Sequence, residues 1–220
     1  MNSVTIMIPV KDEEDGLKYL LGDFKSTSLM KDFSISIIFV IDARTSDSSE
    51  EFASKFSNII INQEETTGKG AAMMQAVEKW KTESTDFAIF LDADGSYSFE
   101  SVSKILHQLK LGSDVVSGSR FLSNSGRPEG MSRLHNFGNR FLSKISSLKN
   151  RRKITDLCTG LWGFSEKALK QLNFKSQGFD LEAEIAGLAR RKNLKHHEVE
   201  VEWSQRKGGT SKLRSLTDGL

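Results

Sequence analysis

The 220-residue sequence contains one cysteine, Cys158, and two prolines, Pro9 and Pro128. A single thiol excludes an internal disulfide framework and fits a reducing compartment, with Cys158 expected to fill core space. So little proline, with no low-complexity run or repeat, leaves no linker, so residues 1–220 are expected to form one domain. No apolar run approaches the ~20 residues needed to span a bilayer. The first strand-like run starts at residue 4, without a basic leader, apolar stretch or cleavage site before it, which predicts no signal peptide. Charge of one sign is also missing. Thirty-one basic and 29 acidic residues give a formal charge of +2, so the chain is not a polycation built for nucleic acid.

Three familiar motifs are absent as well. An EF-hand loop starting at Asp92 would need glycine sixth and glutamate twelfth; glycine is fourth and Ser103 is twelfth. A phosphate-binding P-loop around Gly68 would need glycine at position 63 and Ser or Thr after the lysine, where Gln63 and Gly70 stand. The turn Pro9-Val10-Lys11-Asp12-Glu13 has no glycine and so no dinucleotide fingerprint. A haloacid-dehalogenase-like phosphatase also carries a strand followed by Asp-x-Asp-Gly. That motif belongs after the first strand, here it follows the fourth, and no later Gly-Asp-x-x-x-Asp completes it.

What is present is alternation. Short runs rich in β-branched residues at 4–9, 36–41, 58–61, 87–91 and 114–117 alternate with helix-period segments near 14–24, 47–56, 69–80 and 99–111. This predicts βα units and an α/β fold, a mostly parallel sheet with helices on both faces and ligands bound at the strands' carboxyl edge. The run "FLDADGS" sets Asp92 and Asp94 at that edge. Two carboxylates so close repel one another and call for a positive partner. Magnesium or manganese takes one or two carboxylates and fills its other positions with water and phosphate oxygens, so a divalent ion arriving with a nucleotide diphosphate answers the requirement.

The glycine-containing stretch 123–130 predicts a mobile loop. Beyond it, residues 132–148 read as a helix of another kind. Leu134, Phe137, Phe141, Leu142, Ile145 and Leu148 recur at helical spacing, while Arg133, Arg140 and Lys144 fall on another side. Lys149, Arg151, Arg152 and Lys153 follow, and Glu129 is the only acid between Arg127 and Lys153. Such a helix either packs on the core with a solvated charged face or lies in a membrane interface, gaining ~1 kcal/mol per basic residue against anionic lipid.

The ordered set "TIMIPVKDEE", "VIDARTSDSS", "GKGAAMMQAV", "FLDADGS", "DVVSGSRF", "ITDLCTGLWGF", "GFDLEAEI" and "RKGGTSK" resembles the family 2 glycosyltransferases. The last four resemble the dolichol-phosphate mannosyltransferase and polyprenyl-phosphate glycosyltransferase branch. The resemblance implies a GT-A type, Rossmann-like domain, with a nucleotide-sugar and metal half over about 1–118 and an acceptor half over about 119–220. Pro9, Asp12, Glu13 and Asp42 match positions that hold base and ribose. Gly68 and Lys69 match the loop beside the nucleotide. Asp92, Ala93 and Asp94 match the metal motif for Mg2+ or Mn2+, Asp94 being the favoured direct ligand. Arg120, Arg133, Arg206, Ser211 and Lys212 match positions that handle the acceptor phosphate and donor diphosphate, and Arg127 and Arg140 would complete an arginine cluster for the acceptor. Two departures lie near the nucleoside: Asp42-Ala43-Arg44 replaces Asp-Asp-Gly, and Lys11-Asp12 replaces aromatic-Asn.

The resemblance also implies the reaction: single displacement, with inversion, of a hexose from GDP-mannose or, second, UDP-glucose onto a polyprenyl or dolichyl phosphate at the cytoplasmic membrane face. The chain stops at Asp218-Gly219-Leu220, where relatives often continue into membrane segments, so a separate anchor subunit is an expected partner. A phosphomonoester with second pKa ~6 is already largely a dianion at neutral pH and needs charge neutralisation more than a base. Asp156 is either an ancillary acid near the acceptor or a structural hydrogen-bonder. Glu182 and Glu184 either support the arginines or are solvated. Transfer to a hydroxyl, which would need a base, and nucleotide-sugar binding without turnover remain open alternatives.

Overall fold

The computed structural model describes residues 1–57, 59–65, 68–123, 126–178 and 180–208. Its elements run β1 (Asn2–Val10), α1 (Glu14–Ser26), α2 (Leu29–Asp32), β2 (Phe33–Ile41), α3 (Ser49–Ser54), β3 (Ile59–Asn62), α4 (Lys69–Thr82), β4 (Phe87–Leu91), α5 (Phe99–Lys110), β5 (Val115–Ser119), α6 (Arg133–Asn150), β6 (Leu161–Ser165), α7 (Glu166–Gln171), α8 (Leu181–Arg191) and β7 (His196–Glu200). The seven strands are ordered β3-β2-β1-β4-β6-β5-β7.

β1 pairs in parallel with β2 on one side and β4 on the other. The chain winds outward through β2 and β3 and then returns to lay β4 against β1, so a switch in winding direction falls between β1 and β4. In an open α/β sheet the crevice beyond the carboxyl ends at such a switch is where ligands bind. The sheet is not wholly parallel. β6 inserts antiparallel between β4 and β5, and β7 closes the edge in parallel with β5.

Alternate residues of β1 feed opposite faces, as the pleat requires. Val4, Ile6, Ile8 and Val10 join Leu17, Leu20 and Leu21 of α1 and Val102, Ile105 and Leu106 of α5 in one core. Met7 joins Ala72, Met73 and Ala76 of α4, Trp162 of β6 and Leu181 and Ile185 of α8 in the other. α5 and α6 are each started by a serine, Ser98 or Ser132, whose hydroxyl accepts from the backbone N–H three residues on.

One expectation changes, and one of the two readings of residues 132–148 falls. Cys158 is exposed rather than in the core. Leu157 and Thr159, its chain neighbours, are buried on either side, while the turn at 157–158 leaves Cys158 exposed. α6 buries Asn139, Ser143, Ser146 and Asn150 and exposes Leu134, Phe137, Phe141, Ile145 and Leu148, the opposite of a core-packed helix. Leu142 alone of the apolar set packs against the core. Residues 124 and 125 of the expected mobile loop, and residue 58 of the third strand, lie outside the described residues.

On β7, His196 is buried, 5.5 Å from the Trp162 ring, with Nε2 2.9 Å from Ser117 Oγ. Burial, aided by Arg152 and His197, lowers its pKa from 6.5 to about 3. The unfolded chain therefore takes up a proton that the folded protein refuses. This contribution to stability is complete above pH 6.5 and is lost as pH falls toward 3. Denaturant unfolding across this window should lose roughly 1.4 kcal/mol per pH unit from this group. His196→Gln should flatten that slope; an unchanged slope would place the proton uptake elsewhere.

Candidate active site

The crevice between β1 and β4 is lined by two turns. After β1, Asp12 sits in the left-handed region (φ 46) that Asp tolerates, and its Oδ1 accepts from the Ser46 N–H at 2.8 Å. The Glu13 N–H donates to Ser49 Oγ, and Glu13 Oε1 accepts from Arg206 Nη2 at 2.5 Å. Asp42, at the end of β2, is buried, accepts from the Arg44 N–H and pairs with Lys11 Nζ at 3.2 Å. One of the departures noted in the sequence, Lys11, is thus paired with Asp42, which the resemblance places at the nucleoside.

After β4, Asp92 and Asp94 emerge with Ala93 buried between them. Lys69 opens α4 and reaches across: its Nζ lies 2.8 Å from Asp92 Oδ1 and 2.7 Å from Glu182 Oε1 on α8. Burial pushes the Asp92 carboxyl above its ordinary pKa, and the adjacent ammonium pulls it back. Burial likewise opposes charge on Lys69, but Asp92 and Glu182 outweigh it and raise its pKa, so the amine stays protonated. Pro9, Asp92, Gly160, Trp162 and Glu182 line a narrow pocket around this amine. Gly160 is required there, since a Cβ on it would stand 2.0 Å from Asp92 Oδ2.

Asp94 Oδ1 accepts from the Ser96 N–H at 3.0 Å. Among the described residues no three His, Cys, Asp or Glu side chains gather as a ready metal cage. The donor set still fits a divalent ion of the magnesium or manganese kind, which needs one or two carboxylates and completes its shell with phosphate and water. Asp92, Asp94 and Glu182 bring three negative charges against the one amine that pairs with Asp92 and Glu182, which leaves two, the charge of one such ion. Asp94 is the freer ligand, because Asp92 already holds Lys69.

The segment after β7 straps this edge. The Ser204 N–H donates to Ser96 O and the Lys207 N–H to Asp94 O, both at 3.0 Å, while Lys207 Nζ lies 4.4 Å from the centre of the Tyr19 ring. Arg206 is thereby held at Glu13. Ser211 and Lys212 lie outside the described residues.

On the acceptor side, Arg120 leaves β5 and forks onto fully buried Asp156, Nε to Oδ2 at 2.6 Å and Nη2 to Oδ1 at 2.7 Å. The Arg120 N–H adds a bond to Oδ2 and Asn139 Nδ2 one to Oδ1. Four donors fill the carboxylate's acceptor positions, so Asp156 anchors Arg120 and has no lone pair free to take a substrate proton. Arg140 and Arg120 both lie against Phe121, 5.0 and 5.7 Å from its ring centre. Arg127 is turned to Met131 O, and Arg133 is exposed at the start of α6. The arginine cluster therefore divides into a joined pair and two separate residues.

The two glutamates also resolve. Glu182 serves Lys69 rather than an arginine, and Glu184 accepts from the N–H groups of Lys175 and Ser176. Glu198 and Tyr97 are additions that sequence reading passed over. Glu198 accepts from the N–H groups of Thr155 and Asp156, and Tyr97 Oη lies 3.1 Å from Thr159 Oγ1 and accepts from the Gly160 N–H. No local pattern marks either, because each acts on a segment far away in the chain.

Against this geometry, comparison with known proteins is specific. The chain is 26% identical over 219 residues to glycosyltransferase AglJ of Haloferax volcanii, covering 99% of this chain and 69% of that protein. It is 27% identical to the low-salt glycan biosynthesis hexosyltransferase Agl6 of the same organism, spanning 51% of its length. It is 26% identical to the dolichol-phosphate mannosyltransferase of Pyrococcus furiosus, covering 97% of this chain and 60% of the relative. The chain thus spans half to two thirds of these relatives. Glucosyl-3-phosphoglycerate synthase from Mycobacterium tuberculosis, solved with Mn2+, UDP and phosphoglyceric acid, superimposes with a TM-score of 0.72 at 16% identity, over 94% of this chain and 73% of that one. That likeness establishes the GT-A fold. Residues 5–172 match the family model described as glycosyl transferase family 2, and the chain belongs to that family.

Proposed function

We propose that this protein transfers a hexose from a nucleoside diphosphate sugar to the phosphate of a polyprenyl or dolichyl carrier at a membrane surface, with Mg2+ or Mn2+ as cofactor. The observation that carries the reading is the Asp92/Asp94 pair beside Lys69 at the β1–β4 switch. The named activities of the dolichol-phosphate relatives support the acceptor. GDP-mannose and then UDP-glucose are the donors we favour.

Asp12, Glu13 and Asp42, on the turns after β1 and β2, are placed to border the nucleoside. Lys69, fixed by Glu182, presents its ammonium beside Asp92, where the donor diphosphate would lie. A divalent ion held by Asp94 and Asp92 would offset the charge that develops on the leaving diphosphate. Arg120, rigidly forked onto Asp156, would orient the acceptor phosphate without changing conformation. One acceptor phosphate oxygen forms the bond to the anomeric carbon as the bond from that carbon to the donor diphosphate oxygen breaks. The dianion needs no base, and the carboxylate beside Arg120 is fully occupied. This favours a phosphate acceptor over a hydroxyl.

The membrane part of the reading rests on α6. Phe137 is 70% exposed, Leu134 65%, Phe141 55% and Leu148 74%, an apolar stripe flanked by Arg140 and Lys144. Among the described residues no helix is long and apolar enough to cross a bilayer. A stripe of this kind bordered by cations suits an interfacial helix.

Labelled GDP- and UDP-sugars, mixed with a short polyprenyl phosphate and Mn2+ or Mg2+, should give a lipid-extractable product, and Asp94→Ala should abolish it. Label that stays water-soluble would overturn the lipid acceptor. Glu182→Gln should keep the fold by circular dichroism yet lower kcat/KM by ten- to a hundredfold, the value of a hydrogen bond to a charged group. Gly160→Ala should displace Asp92 and cost at least tenfold in kcat/KM. Phe137→Ser with Phe141→Ser should sharply weaken sedimentation with phosphatidylcholine vesicles while leaving the circular dichroism unchanged.

A further inference from the structure

α6 ends in a turn that brings basic residues back along the helix. Arg151 occupies the left-handed region (φ 49), a position where glycine is the usual choice, and the Arg152 N–H bonds Ser147 O. The Ile154 N–H then donates to Ser147 Oγ, which itself donates to Ile154 O, and Glu198 holds the Thr155 N–H. Between this returning segment and the last turns of α6 lies an open groove of about 550 Å3, with Phe121 in its lining. Arg140, Lys144, Arg151, Arg152 and Lys153 line it, with no carboxylate among the lining residues.

The ordinary account of cations at a helix end is that they offset the negative end of the helix dipole. That covers the last turn only. Arg140 and Lys144 lie further back, and a left-handed arginine is disfavoured relative to glycine. Five like charges around one concavity repel each other unless an anion enters. Glu198, the nearby acid, is committed to the Thr155 and Asp156 N–H groups. None of the donor-edge residues lines the groove, and neither does Arg120, while Phe121 and Arg140 border both the groove and the acceptor side.

We propose that this groove binds the phosphate headgroup of an anionic membrane lipid, at a site separate from the donor crevice. Leu148 lines the groove and also ends the exposed apolar stripe, so one molecule can place phosphate among the arginines and acyl chain along α6. Arginine forks suit phosphate oxygens in this role. The inference rests on the membrane-facing reading of α6, and it shares its chemistry with a free phosphate ion.

The test uses the full chain and four probes: phosphatidylcholine vesicles, the same vesicles with added phosphatidate, soluble short-chain phosphatidate, and inorganic phosphate. The triple variant Arg151→Gln, Arg152→Gln, Lys153→Gln should bind phosphatidate vesicles on the order of a hundredfold more weakly, at ~1 kcal/mol per lost charge, and phosphatidylcholine vesicles unchanged. A charge-preserving variant, Arg151→Lys with Arg152→Lys, should recover only part of the loss if forked contacts matter. Short-chain phosphatidate should bind the wild type and be displaced weakly, if at all, by inorganic phosphate. Equal binding of phosphatidate vesicles by wild type and triple variant would overturn the site. Inorganic phosphate competing on equal terms would make it a free-anion site and overturn the lipid source. If the wild type ignores both vesicles yet binds the soluble lipid through these residues, the membrane reading fails and the groove stands. If no phosphate probe binds, the groove reading falls whatever the apolar stripe does.

Discussion

The Lys69 ammonium, held between Asp92 and Glu182, is the interaction on which the rest of the donor side depends. It ties the start of α4 to the end of β4 and to the first turn of α8 at the carboxyl edge. Burying such a group is costly, and a buried ion pair is a poor source of stability against an apolar replacement. What it supplies is position. α4 can come this close only because Gly70 has no side chain, since a Cβ there would stand 2.1 Å from Ser176 O. The triad is unbalanced by design of its residues, with Asp94 adding further negative charge, and that surplus is a physical reason to expect a cation with the substrate.

The acceptor side is organised by a second buried pair of different character. Arg120 and Asn139 of α6 together fill the acceptor positions of Asp156. This explains why α6 turns a polar face inward. Asn139 and Ser143 satisfy the backbone N–H groups of Cys158 and Leu157, and Asn150 caps its own last turn through Ser146. With its polar residues so employed, the helix has only apolar and basic side chains left for its outer face. A water-facing helix of that composition is unfavourable unless something apolar and anionic covers it. The donor crevice and α6 therefore pose complementary problems, an excess of negative charge on one side and of exposed apolar and positive surface on the other.

Most of the winding was legible in the residues. β1, β2, β4 and α4 are apolar runs or helix-period segments of ordinary length bounded by polar turns, and period alone identifies them. β6 and β7 escaped this reading. "LWGFS" is short and sits just after a loop, and "HHEVE" is a mostly polar edge strand with one apolar residue, so neither carries a period-2 signature. The antiparallel insertion of β6 between β4 and β5 depends on partners about 70 and 50 residues distant, which no local window contains. Cys158 was misjudged for a similar reason: which side of a turn faces the core depends on what lies beneath it.

The sequence by itself determined the alternating α/β architecture, the placement of two aspartates at a strand end, the segregation of cations around α6 and the absence of other nucleotide motifs. Each of these is a matter of local spacing, which backbone geometry converts directly into a face, a turn or an edge. Only the tertiary structure decided which charge answers which. It gave Asp92 to Lys69, Glu182 to the same amine, Asp156 to Arg120 and the apolar stripe of α6 to the outside. Electrostatic pairing falls off with distance in space and has no period along the chain, so its outcome is fixed only once the sheet order has brought distant segments together.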